Sequence, residues 1–308
     1  MSGLRETLAD YLALRRSLGY RLVVTEHLLG QFVSFLEDND ERNITIALAI
    51  RWAALPAGAS PGWLAQRLSA VRLFASFVAS IDPETEVPPA GCLPGQPARA
   101  TPYLYSEVEV EEIMAAARRL GTPLLAHTYE ALIGLLAVSG IRIGEALALG
   151  RGDVLFDEGC VQVIEGKFGK SREVPLAPSA VAALRRFVAV RDEFCPRPLV
   201  DAFFCSTVGK RLVYARVQQT FRHLCQEAGV VATAPHCRPR MHDLRHRYAV
   251  LTLVSWQEAN ADVGALLPLL STVLGHVNPA STYWYLSTTP ALMAPVARRL
   301  ESTFEGER

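Results

Sequence analysis

The chain has 308 residues, half of them apolar and a fifth charged, which describes a globular protein long enough for two domains and excludes a disordered one. Its 31 basic and 31 acidic residues leave no formal net charge, so contact with a nucleic acid would have to come from a local cluster rather than an overall basic field. No run approaches a membrane span, and Arg5, Glu6 and Asp10 stand where a signal peptide needs apolar residues, so a soluble, cytoplasmic protein is expected.

Four helices open the chain. Leu4, Leu8, Tyr11, Leu12 and Leu18 recur at helical spacing until Gly19 closes the segment. Thr25 is placed to cap a second helix carrying Leu28, Phe32, Phe35 and Leu36, and a short third covers about Ile44 to Leu55. Ser60-Pro61, a cap residue followed by proline at the first helical position, starts a fourth through Leu64, Leu68, Val71, Phe74 and Val78. From Asp82 to Thr101 there are five prolines, two glycines and no apolar period, the composition of a linker. Ordered structure resumes at Ser106, which forms a capping box with Glu109. Helical patterns follow through the apolar run 132–138. Strand signals then appear at Val154-Leu155-Phe156, at 161–164 and at Glu173-Val174-Pro175-Leu176, and the last two flank a glycine-bearing turn at 165–170. The rest is helical, to an amphipathic stretch with Met293, Val296, Leu300 and Phe304. The expected class is therefore mainly α with a small antiparallel sheet, in two domains, 1–85 and 105–308, joined by a linker at 86–104.

Six cysteines (Cys92, Cys160, Cys195, Cys205, Cys225 and Cys237) form no CxxC pair and read as reduced thiols. Cys237, His242 and His246 lie close together, but a fourth ligand and a recognised spacing are missing, so no metal site is expected. The segment 235–247 holds four arginines and three histidines against one aspartate, while acidic residues collect at 37–41 and 107–112.

Four motifs of the second domain carry chemistry. Ser139-Gly140-Ile141-Arg142-Ile143-Gly144-Glu145 puts an arginine just past a buried helix, where its fork can grip a phosphate. Lys167 stands at the hairpin tip. In His242-Asp243-Leu244-Arg245, positions three apart share a helix face. Leu274-Gly275-His276 is followed nine residues later by Tyr285. Each has a plainer reading when taken alone: a surface arginine, a solvated turn lysine, an exposed basic face, and an aromatic cluster of Tyr283, Trp284 and Tyr285 packed in a core.

Together, in this order, the motifs resemble the tyrosine recombinases of the phage integrase family. The resemblance spans the chain and implies a helical, SAM-like core-binding domain followed by a catalytic domain. It also implies that Tyr285 attacks phosphorus to leave a 3′-phosphotyrosyl link. Arg142 and Arg245 would clamp the phosphate, and Lys167 would protonate the leaving 5′ oxygen. His242 would assist proton transfer from the tyrosine, and His276 would hydrogen-bond the phosphate. Glu145 and Asp243 read as supports, and no metal or other cofactor is implied. Double-stranded DNA is the implied partner, bound by a homotetramer on paired sites, with partner recombinases possible and nucleoid association while bound. Arg15, Arg16, Arg67, Arg72, Lys170, Arg172 and Arg238 are candidate DNA contacts, each equally readable as a solvated cation. The C-terminal stretch would dock on a neighbouring protomer or on its own domain.

Two features depart from compact members. Arg245 and His276 are farther apart, by about two helical turns, and Leu267 to His276 with Thr282 to Leu286 is closer to recombinases of transposons and other mobile elements. Tyr283 is the rival nucleophile, but two residues of helix turn it about 200° away. A type IB topoisomerase shares the chemistry, and a non-catalytic DNA-binding relative shares the fold; keeping a tyrosine and a lysine in register argues against the second.

Overall fold

The structure, a computed structural model, describes residues 3–20, 22–93, 101–164, 171–234, 237–276, 278, 281–283 and 285. The chain forms two compact units, Met1–Ala100 and Thr101–Arg308. None of the described helices is long and apolar enough to cross a membrane.

The first unit holds α1 (Leu4–Ser17), α2 (Val23–Asp38), α3 (Ile46–Ala54) and α4 (Pro61–Val78). Ser60 caps α4 by accepting from the Trp63 amide at 3.3 Å, ahead of Pro61 in the first turn. Thr45 caps α3 in the same way. The expected cap at Thr25 is not used: α2 begins three residues earlier, after Leu22 in the left-handed region at φ 50°. Its first turn is set by a backbone bend that side-chain chemistry does not announce. The core packs Tyr11 on Phe74 and Phe32 edge-on to Trp52, with centroids 5.5 and 5.2 Å apart.

Arg67 corrects an expectation. It is not a surface cation for DNA but is buried, its guanidinium lying 3.7 Å from the Trp52 ring centroid and donating to the Trp52 carbonyl at 2.9 Å. A desolvated cation over an indole is worth up to about 2 kcal/mol, so this arginine serves the core of the helical unit.

The second unit is built on α6 (Pro123–Ser139), which is apolar nearly all round and therefore buried. Around it pack α5 (Glu107–Ala117), α8 (Pro178–Phe194) and α10 (Asp243–Glu258). The capping box of Ser106 and Glu109 starts α5 as expected. Strands β1 (Val154–Leu155), β2 (Cys160–Val163) and β3 (Arg172–Pro175) form an antiparallel sheet in the order β1-β2-β3, with Val163 opposite Arg172. The remaining helices are α7 (Ile143–Ala148), α9 (Tyr214–Glu227) and α11 (Val263–Leu274), and residues 281–283 and 285 are helical too.

Candidate active site

Two glycine bends bring the site together. α6 ends at Gly140 in the left-handed region, where a Cβ would lie 2.4 Å from the Tyr248 ring. Only glycine fits, and the chain reverses there to present Arg142 at the start of α7. α11 ends at Gly275, also left-handed, where a Cβ would stand 2.8 Å from the Arg172 guanidinium. His276 follows directly.

The last carbonyls of a helix have no partner within it and sit at the negative end of its dipole. Here three arginines, distant in sequence, satisfy three consecutive carbonyls around the end of α11. Arg172 donates to Val273 at 2.7 Å, Arg245 to Leu274 at 2.5 Å and Arg142 to Gly275 at 2.8 Å. A second bond runs from Arg245 to the Gly140 carbonyl at 2.7 Å, so both glycine bends are tied to one side chain. Burial pushes the Arg245 guanidinium down to about 10, with the like charge of Arg142 adding to the shift, yet it stays charged at neutral pH.

Glu145 holds the arginines in register. Each of its carboxylate oxygens accepts two bonds: Oε1 from Arg142 at 2.7 Å and Arg172 at 3.2 Å, Oε2 from the Arg142 amide at 2.8 Å and Arg172 at 2.8 Å. This corrects the reading of Arg172 as a DNA contact. Its side chain is 8 % exposed and is spent on Glu145 and Val273. Burial works to raise the Glu145 carboxyl, but Arg172 and Arg142 outweigh it and hold it at about 2. Its contribution to stability is thus present above the ordinary carboxylate range and lost as pH falls through about 2. Glu145→Gln turns an amide donor toward two guanidinium groups and is expected to cost about 3–5 kcal/mol. Thermal melts of the variant and the parent should differ most at neutral pH and converge in acid.

Tyr285 is 2 % exposed, packed against Ala249, Val250, Leu253, Leu270 and Leu274. Its hydroxyl lies 2.9 Å from His246 Nδ1. The ring of His276 runs nearly parallel to the phenol with centroids 6.4 Å apart, and its Nδ1 is 2.7 Å from the Thr282 hydroxyl. Tyr283, the rival, is 54 % exposed. His242 is exposed at the cap of α10, one turn before the buried Arg245, with its ring centroid 4.9 Å from that of His246. Asp243 is fully buried and supports the start of α10 through Arg240, whose side chain donates to it at 3.0 and 2.8 Å. Burial raises the Asp243 carboxyl despite that pairing.

The structure therefore brings Arg142, Arg245, His276 and Glu145 to one helix end, with Tyr285 packed on the same segment. Lys167 and Lys170 lie outside the described residues, as does the stretch with Met293, Val296, Leu300 and Phe304. Arg16 pairs with Glu26 at 2.5 Å, Arg15 lies over the Tyr20 ring at 4.1 Å, and Arg238 is exposed. Arg72 lines a cavity of about 360 Å³ with Gln66 and Ser69. Among the described residues no group of three or more His, Cys, Asp or Glu is placed to hold a metal ion. Sequence reasoning missed two residues of the site. Arg172 carries no local mark that separates it from a solvated cation, and His246 follows Arg245 directly but is joined to the phenol only by the fold.

The model of the phage integrase family matches residues 104–291. The integrase/recombinase y4rB of Sinorhizobium fredii is 43 % identical over 99 % of this chain and 99 % of its own length. The tyrosine recombinase XerC of Yersinia pestis is 32 % identical over 74 % of this chain and 69 % of its own. Among solved structures, an integrase of the Tn1549 transposon in complex with a circular intermediate DNA matches with a TM-score of 0.66, covering 98 % of this chain and 100 % of that one at 15 % identity. That likeness is one of fold.

Proposed function

This chain belongs to the phage integrase family, the tyrosine recombinases, and from that premise we propose that Tyr285, Arg142 and Arg245 are its strand-exchange machinery. The enzyme cuts and rejoins DNA through a covalent tyrosine link. In our reading the phenol of Tyr285 attacks phosphorus. The guanidinium groups of Arg142 and Arg245 hold the non-bridging oxygens, and Lys167 gives a proton to the leaving 5′ oxygen. Because one phosphodiester is exchanged for another, the bond energy is stored in the protein–DNA link and the second strand's 5′-hydroxyl can reverse the step. The observation that carries this reading is the meeting of Arg142 and Arg245 at the Leu274–Gly275 end of α11. There, fixed positive charge needs no reorganisation when charge develops on phosphate.

A homotetramer acting on two paired sites fits strand exchange, since four strands must be cut and joined. The likeness to y4rB and to a transposon integrase favours a task in the movement of a mobile element. His276 is assigned to the phosphate, and Arg15, Arg16, Arg72, Arg238 and Lys170 remain candidates for backbone contacts.

The test uses duplexes cut from the DNA flanking the gene, nicked at successive positions so that the leaving strand diffuses away. Incubated with EDTA, one of them should yield a protein–DNA band that survives detergent. Specific binding without an adduct at any nick or pH would make the protein a non-catalytic binder. Relaxation of a supercoiled plasmid lacking those sequences would make it a topoisomerase.

A further inference from the structure

The oxygen that must lose a proton before attack already has an imidazole against it. Tyr285 Oη and His246 Nδ1 are 2.9 Å apart, within the 2.6–3.2 Å a general base needs. On the far side of the ring, Nε2 faces Asp243 Oδ1 at 4.0 Å. A nucleophile, a base touching it and a buried carboxylate behind the base make the arrangement by which hydroxyl nucleophiles are activated on unrelated folds.

We propose that His246 is the catalytic residue that takes the phenolic proton of Tyr285, with Asp243 as its positioning residue. This rests on the reading of Tyr285 as nucleophile. In the step, the Tyr285 O–H bond breaks and an Nδ1–H bond forms on His246. The phenolic oxygen bonds to phosphorus, and the bond from phosphorus to the 5′ oxygen breaks, that oxygen taking its proton from the acid assigned to Lys167. On rejoining, the 5′-hydroxyl proton and the His246 proton retrace these moves. Neutral His246 accepts at Nδ1 only in the tautomer with hydrogen on Nε2, the nitrogen that faces Asp243. The imidazolium formed then lies beside a carboxylate.

From α10 the His246 imidazole meets Asp243, itself held by Arg240, and the His242 ring, nearly perpendicular with centroids 4.9 Å apart. From the C-terminal segment it meets Tyr285, beyond which His276 stacks. Arg245, on the same helix, interacts electrostatically with Tyr285, and its positive charge favours the phenolate that proton loss creates. His242 is the rival base; it is exposed at the helix cap, one turn before His246.

A hydrogen bond that merely satisfies a buried hydroxyl would leave the pH dependence of cleavage alone, and a base would not. Single-turnover cleavage is measured from pH 5 to 9 on the nicked duplex that traps the parent protein, with thermal melting and DNA binding as checks of fold. The parent rate should fall on the acid side as an imidazole protonates. His246→Gln, which can still bond the phenol but cannot take its proton, should lose about a hundredfold or more in rate and show no acid limb. Added imidazole should restore part of the rate to His246→Ala. His242→Gln should keep the acid limb, a result that decides the matter even if position 246 tolerates neither change. An unaltered profile in His246→Gln, or loss of the limb in His242→Gln, overturns the proposal. If the parent traps no duplex at all, it is the assignment of Tyr285 as nucleophile that fails.

Discussion

Arg245→Ala is expected to damage folding and chemistry together. The side chain is 3 % exposed and its two bonds end on the buried carbonyls of Gly140 and Leu274. A buried acceptor that loses its partner costs about 1–3 kcal/mol, so the pair predicts roughly 2–6 kcal/mol. In a unit of this size 1 kcal/mol shifts the melting midpoint by about 2–4 °C. A drop of roughly 4–24 °C follows, measurable by thermal melting. For the chemistry, removing one preorganised donor from a developing anion typically costs about 10²–10³ in rate. Arg245→Lys separates the two effects. It restores the charge but not the planar fork that spans two carbonyls, so it should recover part of the stability while cleavage stays at least about tenfold below the parent. A lysine variant with parental cleavage would mean that the fork itself contributes nothing to the reaction.

Tyr285→Phe should have the opposite profile, a folded protein with no covalent product. The phenyl ring stays in the apolar cluster with Leu253, Leu270 and Leu274, and the bond to His246 is lost, a change of about 1 kcal/mol. Nothing else on the ring can attack phosphorus, so trapping on a nicked duplex should vanish while DNA binding persists. Tyr283→Phe, altering an exposed hydroxyl, should trap as the parent does.

Parts of this arrangement could be read before any coordinates. Ser60-Pro61 and Ser106 with Glu109 announced their helix starts because capping is local chemistry, completed within three residues. The sheet was legible because β-branched and apolar runs stand on either side of a glycine-bearing segment, and β2 and β3 do pair antiparallel. Glu145 was marked as a support by the family resemblance, and the fold adds that it grips a second arginine. The direction a cation faces was not legible. Arg67 turns inward to Trp52, and Arg172 to Glu145 and Val273. Those partners lie 15, 27 and 101 positions away, and helical or strand periodicity says nothing of such pairs. The same limit hid His246, whose partner stands 39 residues downstream. Residues 242 and 245 sit one turn apart, but His242 is the cap residue, in a different environment from the buried arginine.

Convergence of arginines on a helix end is a stable way to store positive charge. Each guanidinium carries five N–H donors, and the carbonyls of Val273, Leu274 and Gly275 orient them without neutralising them. Glu145 supplies one negative charge against Arg142 and Arg172. The neighbourhood of Tyr285 therefore keeps a net positive charge when no DNA is bound, which suits a phosphate that must give up water to enter.

One phenol, that of Tyr285, is expected to become bonded to DNA. Digesting the trapped adduct with a protease and sequencing the nucleotide-bearing peptide by mass spectrometry tests it directly. A single modified peptide is expected, with the added mass on Tyr285; the mass on Tyr283, or on any other side chain, would rule out Tyr285 as the nucleophile.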